Sequence, residues 1–255
     1  MWELYDELIA GIPPEAIVDD MACGVGGTYV CSGAGIGVSN KADETWRAPE
    51  MTNKSIGMPL RELAECAKSW SFEEANLGIA AINAWYNDIT RLRALGLNIS
   101  DAVQAEDRSA DPFITLQREM KGKNVTTIGH FPYIDQLLAP ICNLSVVEKF
   151  YPQEGDYPEQ AADYLIPNSE YVLIASFTLV EKSLPRFLKL CASGAHVTIV
   201  GMAAPVTPIL HRYGVNDIAG FVVKNIDAAK NICLGYGGNI HSTGQKINYR
   251  AENIR

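Results

Sequence analysis

A histidine follows a glycine at the end of a predicted buried strand. The run from Val125 is apolar through Ile128, turns at Gly129 and then presents His130. In an open parallel sheet, side chains just beyond the carboxyl end of a strand enter the ligand-binding crevice. Histidine exchanges protons near neutral pH, so we predict that His130 is a catalytic residue, reachable by solvent and facing Thr178. The alternative is a histidine bonded only to a neighbouring loop.

Further polar residues follow the next predicted strands. Glu148 stands near the end of the second strand, roughly 20 residues after the first loop, where nucleotide-binding proteins hold a ribose diol. We predict that Glu148 also acts at the site and holds a hydroxyl group of the ligand. The alternative is a surface ion pair with Lys149 or Lys182. Thr178 and the loop beginning at Gly201 reach the same edge of the sheet and are predicted to bind the ligand.

Asparagines share one face of a predicted helix in the first half of the chain. Asn76, Asn83 and Asn87 are spaced so that they fall on one side, and asparagine is a poor residue for a helix interior. Such a face either lines a polar cleft or is wetted by solvent. We favour a wet face, except at Asn83, which we predict to donate an orienting hydrogen bond to the ligand.

The glycine-rich stretches do not form a phosphate-binding motif. Gly24 to Gly27 and Gly33 to Gly37 lack the spacing of a dinucleotide fingerprint and are typical of hairpin turns. The loop over Gly129 to Tyr133 lacks the glycines that let a backbone approach a pyrophosphate, so a tightly held NAD or FAD is not expected. The sequence names no cofactor. The histidines do not have the spacing of a helical zinc site, and no metal site is predicted.

Short elements alternate along the first half. They are a helix over Trp2 to Ile9, strand-like runs over Ala16 to Ala22, Thr28 to Ser32 and Ile36 to Ser39, and a helix from Pro59 to about Trp70. The glycine-separated runs indicate an antiparallel meander. Ser71 and Glu74 have the spacing of a capping box, which predicts a long helix as far as about Leu95. The polar segment Asn98 to Asp111 is the predicted connection to the second half.

The second half alternates strand and helix. Strands are predicted at Val125 to His130, Leu144 to Phe150, Tyr171 to Ser176, His196 to Gly201 and Ile218 to Val223. Their continuous apolar runs indicate strands buried on both faces, as in a parallel sheet covered by helices. We predict an α/β protein with an α+β domain over residues 1–105 and a Rossmann-like, doubly wound domain over residues 106–255. The strand order that we expect is 3-2-1-4-5.

Charge and composition limit the classes of binding partner that the protein can have. The net charge is −9 and the sequence pI is near 5.0. An acidic chain without a basic cluster is a poor ligand for nucleic acid. No apolar run is long enough for a membrane span, and the N-terminus lacks a secretion signal. The six cysteines form no C-x-x-C pair. We therefore expect a cytoplasmic protein with reduced thiols. The aromatic residues Trp2, Trp46 and Trp70 are compatible with a homodimer.

Several segments also carry a family resemblance that covers nearly the whole chain. They are residues 80–84, 129–132, 152–158, 178–186 and 213–215 with 219–220. In these segments the chain resembles the putative heavy-metal-chelation family. The resemblance implies an N-terminal domain like that of enolase, a Rossmann-like domain after it, and a site between the two. It also implies condensation or hydrolysis of a pterin, flavin or siderophore-like molecule, with a link to heavy-metal chelation.

The chain departs from the family pattern at two loops. Glu181 stands where the family usually has Asn or Asp, and Ser183 stands where it usually has Thr, so both positions stay polar and Glu181 is a further predicted ligand-binding residue. The loop from Gly201 to Pro205 lacks the hydroxyl groups that the family usually carries there, which weakens the transfer of a binding role to that loop.

These observations predict a small-molecule or metal-chelate ligand in an interdomain cleft. The leading hypothesis is an enzyme, or an enzyme-like binding protein, for a small heterocyclic or metal-chelating molecule. One alternative is a non-catalytic carrier of a metal or a metal chelate. The other is an S-adenosylmethionine-dependent methyltransferase, which Glu148 favours and the first loop disfavours. The sequence leaves both catalysis and carriage open.

Overall fold

The first half of the chain folds around a small antiparallel sheet. The computed structural model describes residues 2–41, 47–51 and 55–251. The elements of this half are α1 (Glu3–Ala10), β1 (Asp20–Gly24), β2 (Gly27–Ser32), β3 (Gly35–Ser39), α2 (Leu60–Ala64), α3 (Phe72–Tyr86) and α4 (Ile89–Ala94). The sheet order is β1-β2-β3 with both pairs antiparallel, which confirms the meander.

The first strand begins later than predicted. The expected run started at Ala16, whereas β1 starts at Asp20. The residues just before β1 pair elsewhere, because Ile17 forms an antiparallel bridge with Pro59 and the amide of Val18 donates to the carbonyl of Met58 at 2.9 Å. Ile17 and Val18 therefore pair with the segment at Met58 and Pro59 and do not extend the hairpin.

The predicted long helix is two helices, and its capping box is not formed. The hydroxyl of Ser71 makes no cap hydrogen bond, while the Glu74 carboxylate accepts from the Ser69 hydroxyl and from the Met51 amide, each at 2.6 Å. The helix then breaks at Asp88, which caps α4 by accepting from the Arg91 amide at 3.1 Å. The spacing of Ser71 and Glu74 predicted a capping box, but the Glu74 carboxylate instead accepts hydrogen bonds from Ser69 and from the distant Met51.

Helix α3 lies directly on β2 and β3. The approach is closest at Gly37, where a Cβ atom would lie 1.9 Å from the carbonyl oxygen of Ala80. A side chain at this position would push the helix off the sheet. Glycine at this position therefore permits the close packing of α3 on β3.

The second half contains a mostly parallel sheet flanked by helices. Its elements are α5 (Pro112–Thr115), α6 (Gln117–Met120), β4 (Asn124–Ile128), α7 (Ile134–Leu138), β5 (Asn143–Val147), α8 (Ala162–Leu165), β6 (Tyr171–Ala175), α9 (Thr178–Glu181), α10 (Leu184–Leu190), β7 (His196–Val200), α11 (Pro208–Arg212), β8 (Asp217–Val223), α12 (Ile226–Leu234) and β9 (Gly244–Arg250). The fold is α/β, with an α+β first half and a Rossmann-like second half, as predicted.

The predicted strand order is wrong. The described strands of this sheet run β5-β4-β6-β7-β8-β9, so the third strand of the half pairs with the first and not with the second. The order is therefore 2-1-3-4-5, the other common doubly wound arrangement. Apolar runs show that a strand is buried, but they carry no information about its neighbours. The half-exposed start of β5 is consistent with its place at the edge.

A last strand was not predicted. β9 pairs antiparallel with β8 over its whole length, and its residues alternate between buried and half-buried. Ile247 and Tyr249 are buried in the core and are separated by the polar Asn248. This period of two was a usable signal for an edge strand.

The apolar core runs through both halves. One cluster of buried residues includes Leu8 and Ile79 of the first half together with Val172 and Leu210 of the second. The hydroxyl of Tyr5 also donates to the carbonyl of Leu179 at 2.7 Å. The two halves thus share buried surface, and the division at residues 105 and 106 stays a prediction. No helix among the described residues is long and apolar enough to cross a membrane.

Candidate functional site

A cavity of about 270 Å³ opens where the two halves meet. It lies beyond the carboxyl ends of β4, β5 and β6. Its walls come from residues of the second half and from Asn40, Lys41 and Phe72 of the first. The chain leaves β4 toward β5 and leaves β6 toward β7, in opposite directions along the sheet. This is the switch point at which open α/β sheets bind ligands.

One wall of the cavity is aromatic. The ring of Phe177 lies edge-to-face with Phe72, with centroids 6.2 Å apart, and edge-to-face with Phe150, with centroids 5.7 Å apart. All three rings line the cavity. Edge-to-face packing fixes the rings relative to one another and leaves a rigid apolar surface against which a flat molecule can stack.

A largely buried carboxylate lines the same cavity. Glu181 lines the cavity with its side chain 10% exposed, and its carboxylate lies 2.9 Å from the Lys149 ammonium. Burial raises the pKa of Glu181, against the opposing effect of Lys149. Burial alone would lower the pKa of Lys149, but the carboxylates of Glu181 and Glu159 outweigh it and raise that pKa. The cavity wall therefore contains a carboxyl group whose charged form is disfavoured by burial, next to an amine whose charged form is favoured.

Glu148 lines the cavity, but the loop that follows it uses its carboxylate. One oxygen accepts from the backbone amides of residues 149, 150 and 151 at 2.9, 2.7 and 3.2 Å. The other accepts from the amide of His130 at 2.8 Å. Four backbone donors thus occupy most of the acceptor capacity that a ribose diol would need. In this arrangement Glu148 shapes the cavity floor by fixing two loops.

The imidazole of His130 lies outside the cavity. Its side chain is 8% exposed, Nδ1 lies 3.0 Å from a carboxylate oxygen of Asp156 and Nε2 lies 3.5 Å from the carboxylate of Asp135. The expectation of a solvent-reachable ring facing Thr178 is wrong. Gly129 has a φ of 107°, and this left-handed turn precedes a ring held against the loop that contains Asp156. The sequence could not indicate this partner, which is 26 residues away.

The other predicted ligand-binding residues divide between the cavity and the core. Thr178 lines the cavity, and its hydroxyl donates to the carbonyl of Ala175 at 2.7 Å. Gly201 is not part of the lining; a Cβ there would lie 2.3 Å from the Ser176 hydroxyl, so this glycine permits close packing. Asn83 is fully buried and donates to the carbonyl of Val38 at 3.0 Å, away from the cavity.

The predicted wet face of the asparagine helix is also wrong. Asn76 and Asn87 are buried. Asn76 accepts from the Ser39 hydroxyl at 2.6 Å, and Asn87 donates to the carbonyl of Ala204 at 3.0 Å and accepts from the amide of Val206 at 2.8 Å. The stripe joins α3 to β3 and to a loop of the second half.

Sequence reasoning missed several residues of the cavity. Phe150 and Phe177 follow the ends of β5 and β6, and the positional argument used for Glu148 and Thr178 applies equally to them. Lys149 was considered only as a surface partner. Asn40 and Phe72 had no such signal, because they come from the other half and reach the cavity through tertiary packing.

The side chains do not suit a bare metal ion. In the described part of the chain, no group of three or more His, Cys, Asp or Glu side chains is placed to hold one. Within the cavity, Glu181 is paired with Lys149, Glu159 is paired with Arg186 at 2.9 Å, and Glu148 accepts four amides. A cation in the cavity would compete with bound ammonium and guanidinium groups.

Two family models match the chain, one in each half. Residues 111–251 match the DUF364 model and residues 5–86 match the DUF4213 model, both described as putative heavy-metal chelation. The chain belongs to this family. No curated protein matches it.

Two solved structures of the DUF364 family resemble the chain along nearly its whole length. A protein from Desulfitobacterium hafniense is 42% identical, with 98% of each chain covered and a TM-score of 0.90. A protein from Pyrococcus horikoshii is 20% identical, with 97% of this chain and 98% of that chain covered and a TM-score of 0.79. The second likeness shows the fold alone. Both of these DUF364 proteins thus share the fold of this chain.

Proposed function

We propose that the protein binds, and transforms by condensation or hydrolysis, a small heterocyclic or metal-chelating molecule in the cavity between its halves. The observation that carries this proposal is that the aromatic wall shares one cavity with the largely buried Glu181 and its ion-pair partner Lys149. Pockets for small molecules are mostly apolar with a few placed polar groups. A cavity of about 270 Å³ has room for a compound of one or two rings.

The chemistry follows from the two charged groups. Burial raises the pKa of Glu181, so this carboxyl group suits proton transfer better than an exposed glutamate. Lys149, 2.9 Å away, stabilises negative charge on a ligand oxygen. Glu181 therefore takes the proton-transfer role first assigned to His130. Thr178 orients the ligand, and Glu148 acts through the loops that it fixes.

A chelating ligand suits the cavity better than a bare metal. The carboxylates already have cationic or amide partners, whereas the aromatic wall suits the flat ring of an aromatic chelator. In this proposal, the chelation named in the family description is a property of the bound ligand and not of the protein's own side chains. In a carrier of free metal, by contrast, metal alone would be the stabilising ligand.

Thermal shift measurements with four probes test the proposal. The probes are lumazine, 2,3-dihydroxybenzoate, Zn²⁺ alone and S-adenosylmethionine. A ring compound at a hundred times its Kd should raise Tm by about 5–10 °C. Stabilisation by Zn²⁺ alone would replace the proposal with a metal carrier, and stabilisation by S-adenosylmethionine alone would replace it with a methyltransferase.

A matched pair of variants locates the binding. Phe177→Ala removes the ring common to both edge-to-face contacts, so the ligand-induced shift should fall to near zero. Tyr164→Ala removes an aromatic side chain that is 78% exposed and outside the cavity lining; its shift should equal that of the wild type. Equal shifts in both variants would place the ligand elsewhere.

A further inference from the structure

One ammonium group in the cavity wall contacts two carboxylates. Nζ of Lys149 lies 2.9 Å from the carboxylate of Glu181 and 3.3 Å from that of Glu159. All three residues line the cavity. Glu181 belongs to α9, whereas Glu159 begins a short 3-10 helix that precedes α8. Two separate segments of the second half therefore bring an acidic group to the same lysine.

The two carboxylates differ in their other contacts. Lys149 contacts one oxygen of Glu159, and the other oxygen accepts from the Arg186 guanidinium at 2.9 Å. Glu181 is the more buried of the two side chains, and among the residues that the structure describes Lys149 is the one cation within ion-pair distance of it. Glu159 thus has two cationic partners, whereas Glu181 has a share of one.

The carboxyl group of Glu181 is sensitive to this arrangement. Burial raises its pKa, the contact with Lys149 lowers it, and the negative charges of Glu159 and Glu148 raise it again. A nearby like charge disfavours the ionised form of an acid, and a nearby opposite charge favours it. Glu159 therefore acts on Glu181 in two ways, because its charge repels that of Glu181 and because it shares the ammonium that stabilises the carboxylate.

Three further ionisable groups of the described chain interact with Glu181. They are Glu148, Lys182 and Tyr5. The carboxylate of Glu148 accepts four backbone amides, and the other two groups donate to backbone carbonyls. Among these described neighbours, Glu159 is the one that shares the Lys149 ammonium with Glu181.

We propose that Glu159 is a positioning residue of the site: it holds the Lys149 ammonium at a second contact and thereby leaves Glu181 able to take up and release a proton. This inference rests on the proposed proton transfer by Glu181 to a ligand in the cavity. Without Glu159, the whole charge of Lys149 acts on Glu181 and holds it as a carboxylate. Arg186 has the opposite effect, because it competes with Lys149 for the carboxylate of Glu159.

Carboxyl titration followed by NMR tests the inference without any ligand. Protein labelled with 13C at the glutamate side-chain carboxyl carbon gives a signal for each glutamate, and Glu181→Gln identifies the Glu181 signal by its loss. In Glu159→Gln, the titration midpoint of Glu181 should move to lower pH by about one unit. In Arg186→Gln, the midpoint should move to higher pH, because a positive charge is lost and Glu159 then attracts Lys149 more strongly.

Asp163→Asn is the matched control. The Asp163 carboxylate also contacts the Arg186 guanidinium, at 2.5 Å, but Asp163 lies outside the cavity lining. The change removes one negative charge from the same network, so the midpoint of Glu181 should stay close to its wild-type position. Near-UV circular dichroism should match the wild type in every variant. Opposite shifts in Glu159→Gln and Arg186→Gln would not arise from a general loosening of the fold.

The outcomes separate this inference from the proposed function. An unchanged midpoint in Glu159→Gln, or a shift of the same size in the control, would overturn the positioning role while the cavity remained the proposed binding site. If the midpoints move as expected and no ring compound stabilises the wild type, the proposed function fails, and the role assigned to Glu159 in it fails as well.

Discussion

At the scale of single residues, adjacent ionisable side chains respond to burial in opposite directions. Burial raises the pKa of Glu181 and lowers the pKa of Lys182 to about 8. The Lys182 ammonium donates to the carbonyls of Val180, at 2.8 Å, and Ser69, which link α9 to the first half. Glu181 faces the cavity and Lys182 faces the junction. The two residues are neighbours in the sequence, so the difference between their pKa shifts comes from their tertiary surroundings and not from their position along the chain.

Glu181→Gln should change the pH dependence of stability. The folded-state pKa of Glu181 is above its unfolded value, so its contribution to stability is fully present below about pH 4 and is lost as pH rises through the folded pKa. The variant, relative to wild type, should therefore gain stability as pH rises from 4 toward neutrality. Urea denaturation at several pH values measures this difference. A difference independent of pH would mean that the carboxyl group is not perturbed by burial.

His130→Ala separates a structural role from a catalytic one. The Asp156 side chain is 4% exposed, and its carboxylate lies 3.0 Å from Nδ1 of His130. Losing this partner should cost about 1–3 kcal/mol of unfolding free energy and leave the ligand-induced Tm shift intact. Asp135→Asn, at an exposed carboxylate, should cost under about 0.5 kcal/mol. A stable His130→Ala variant without a ligand response would restore the catalytic assignment.

At the scale of elements, the junction between α3 and α4 joins the two halves. Asn87 directly follows α3 as its C-cap residue, and its side chain bonds with the loop at Ala204 and Val206. Asp88 then caps the N-terminal end of α4 by accepting from the Arg91 amide. The break leaves the end of α3 facing the loop after β7, so a residue that is unfavourable inside a helix serves here as a buried connector.

Asn87→Ala should be strongly destabilising. The change leaves the carbonyl of Ala204 and the amide of Val206 buried without their partner, which should cost about 2–3 kcal/mol. Asn143→Ala, at an exposed asparagine on the edge strand β5, is the control and should cost less than about 0.5 kcal/mol. Urea denaturation measures both. Similar small losses in the two variants would show that the Asn87 contacts contribute little.

At the scale of the whole molecule, the two halves form one continuous core. The buried cluster contains residues from both, and the Tyr5 hydroxyl donates across the junction to Leu179. Parts that share this much buried apolar surface unfold together, because separating them exposes that surface to water. The cavity lies at the same junction, so we expect binding of the proposed ligand to stabilise the docking of the halves.

Equilibrium unfolding should therefore be a single transition. The tryptophans all lie in the first half, at positions 2, 46, 70 and 85, so their fluorescence reports on that half, whereas far-UV circular dichroism reports on the whole chain. The midpoints of the two signals should coincide. Tyr5→Phe should lower both together. Two separated midpoints would show that the halves unfold independently.

Self-association is a further prediction at this scale. Trp2 and Trp70 are 38% and 54% exposed and lie edge-to-face with centroids 6.1 Å apart; Trp46 lies outside the described residues. Such a surface suits a two-fold dimer. Light scattering at micromolar concentration should give twice the chain mass of 27.8 kDa, and Trp70→Ala should shift it toward the monomer. A monomeric wild type would contradict the prediction.

The sequence by itself determined the fold class and the edge of the sheet where the cavity lies. Continuous apolar runs required strands buried on both faces, and polar residues just after those runs had to gather at one edge. Glu148 and Thr178 were located this way. These inferences succeed because strand burial and chain direction are properties of short segments.

Tertiary structure decided which side chains face the cavity and which are buried elsewhere. The His130 ring contacts Asp156, the asparagine stripe is buried, and Lys149 pairs with Glu181, 32 residues away. Asn40 and Phe72 joined the site from the other half. Each of these outcomes depends on contacts between distant segments, and the periodicity of a single segment carries no information about which distant group will satisfy a polar atom or cover a ring.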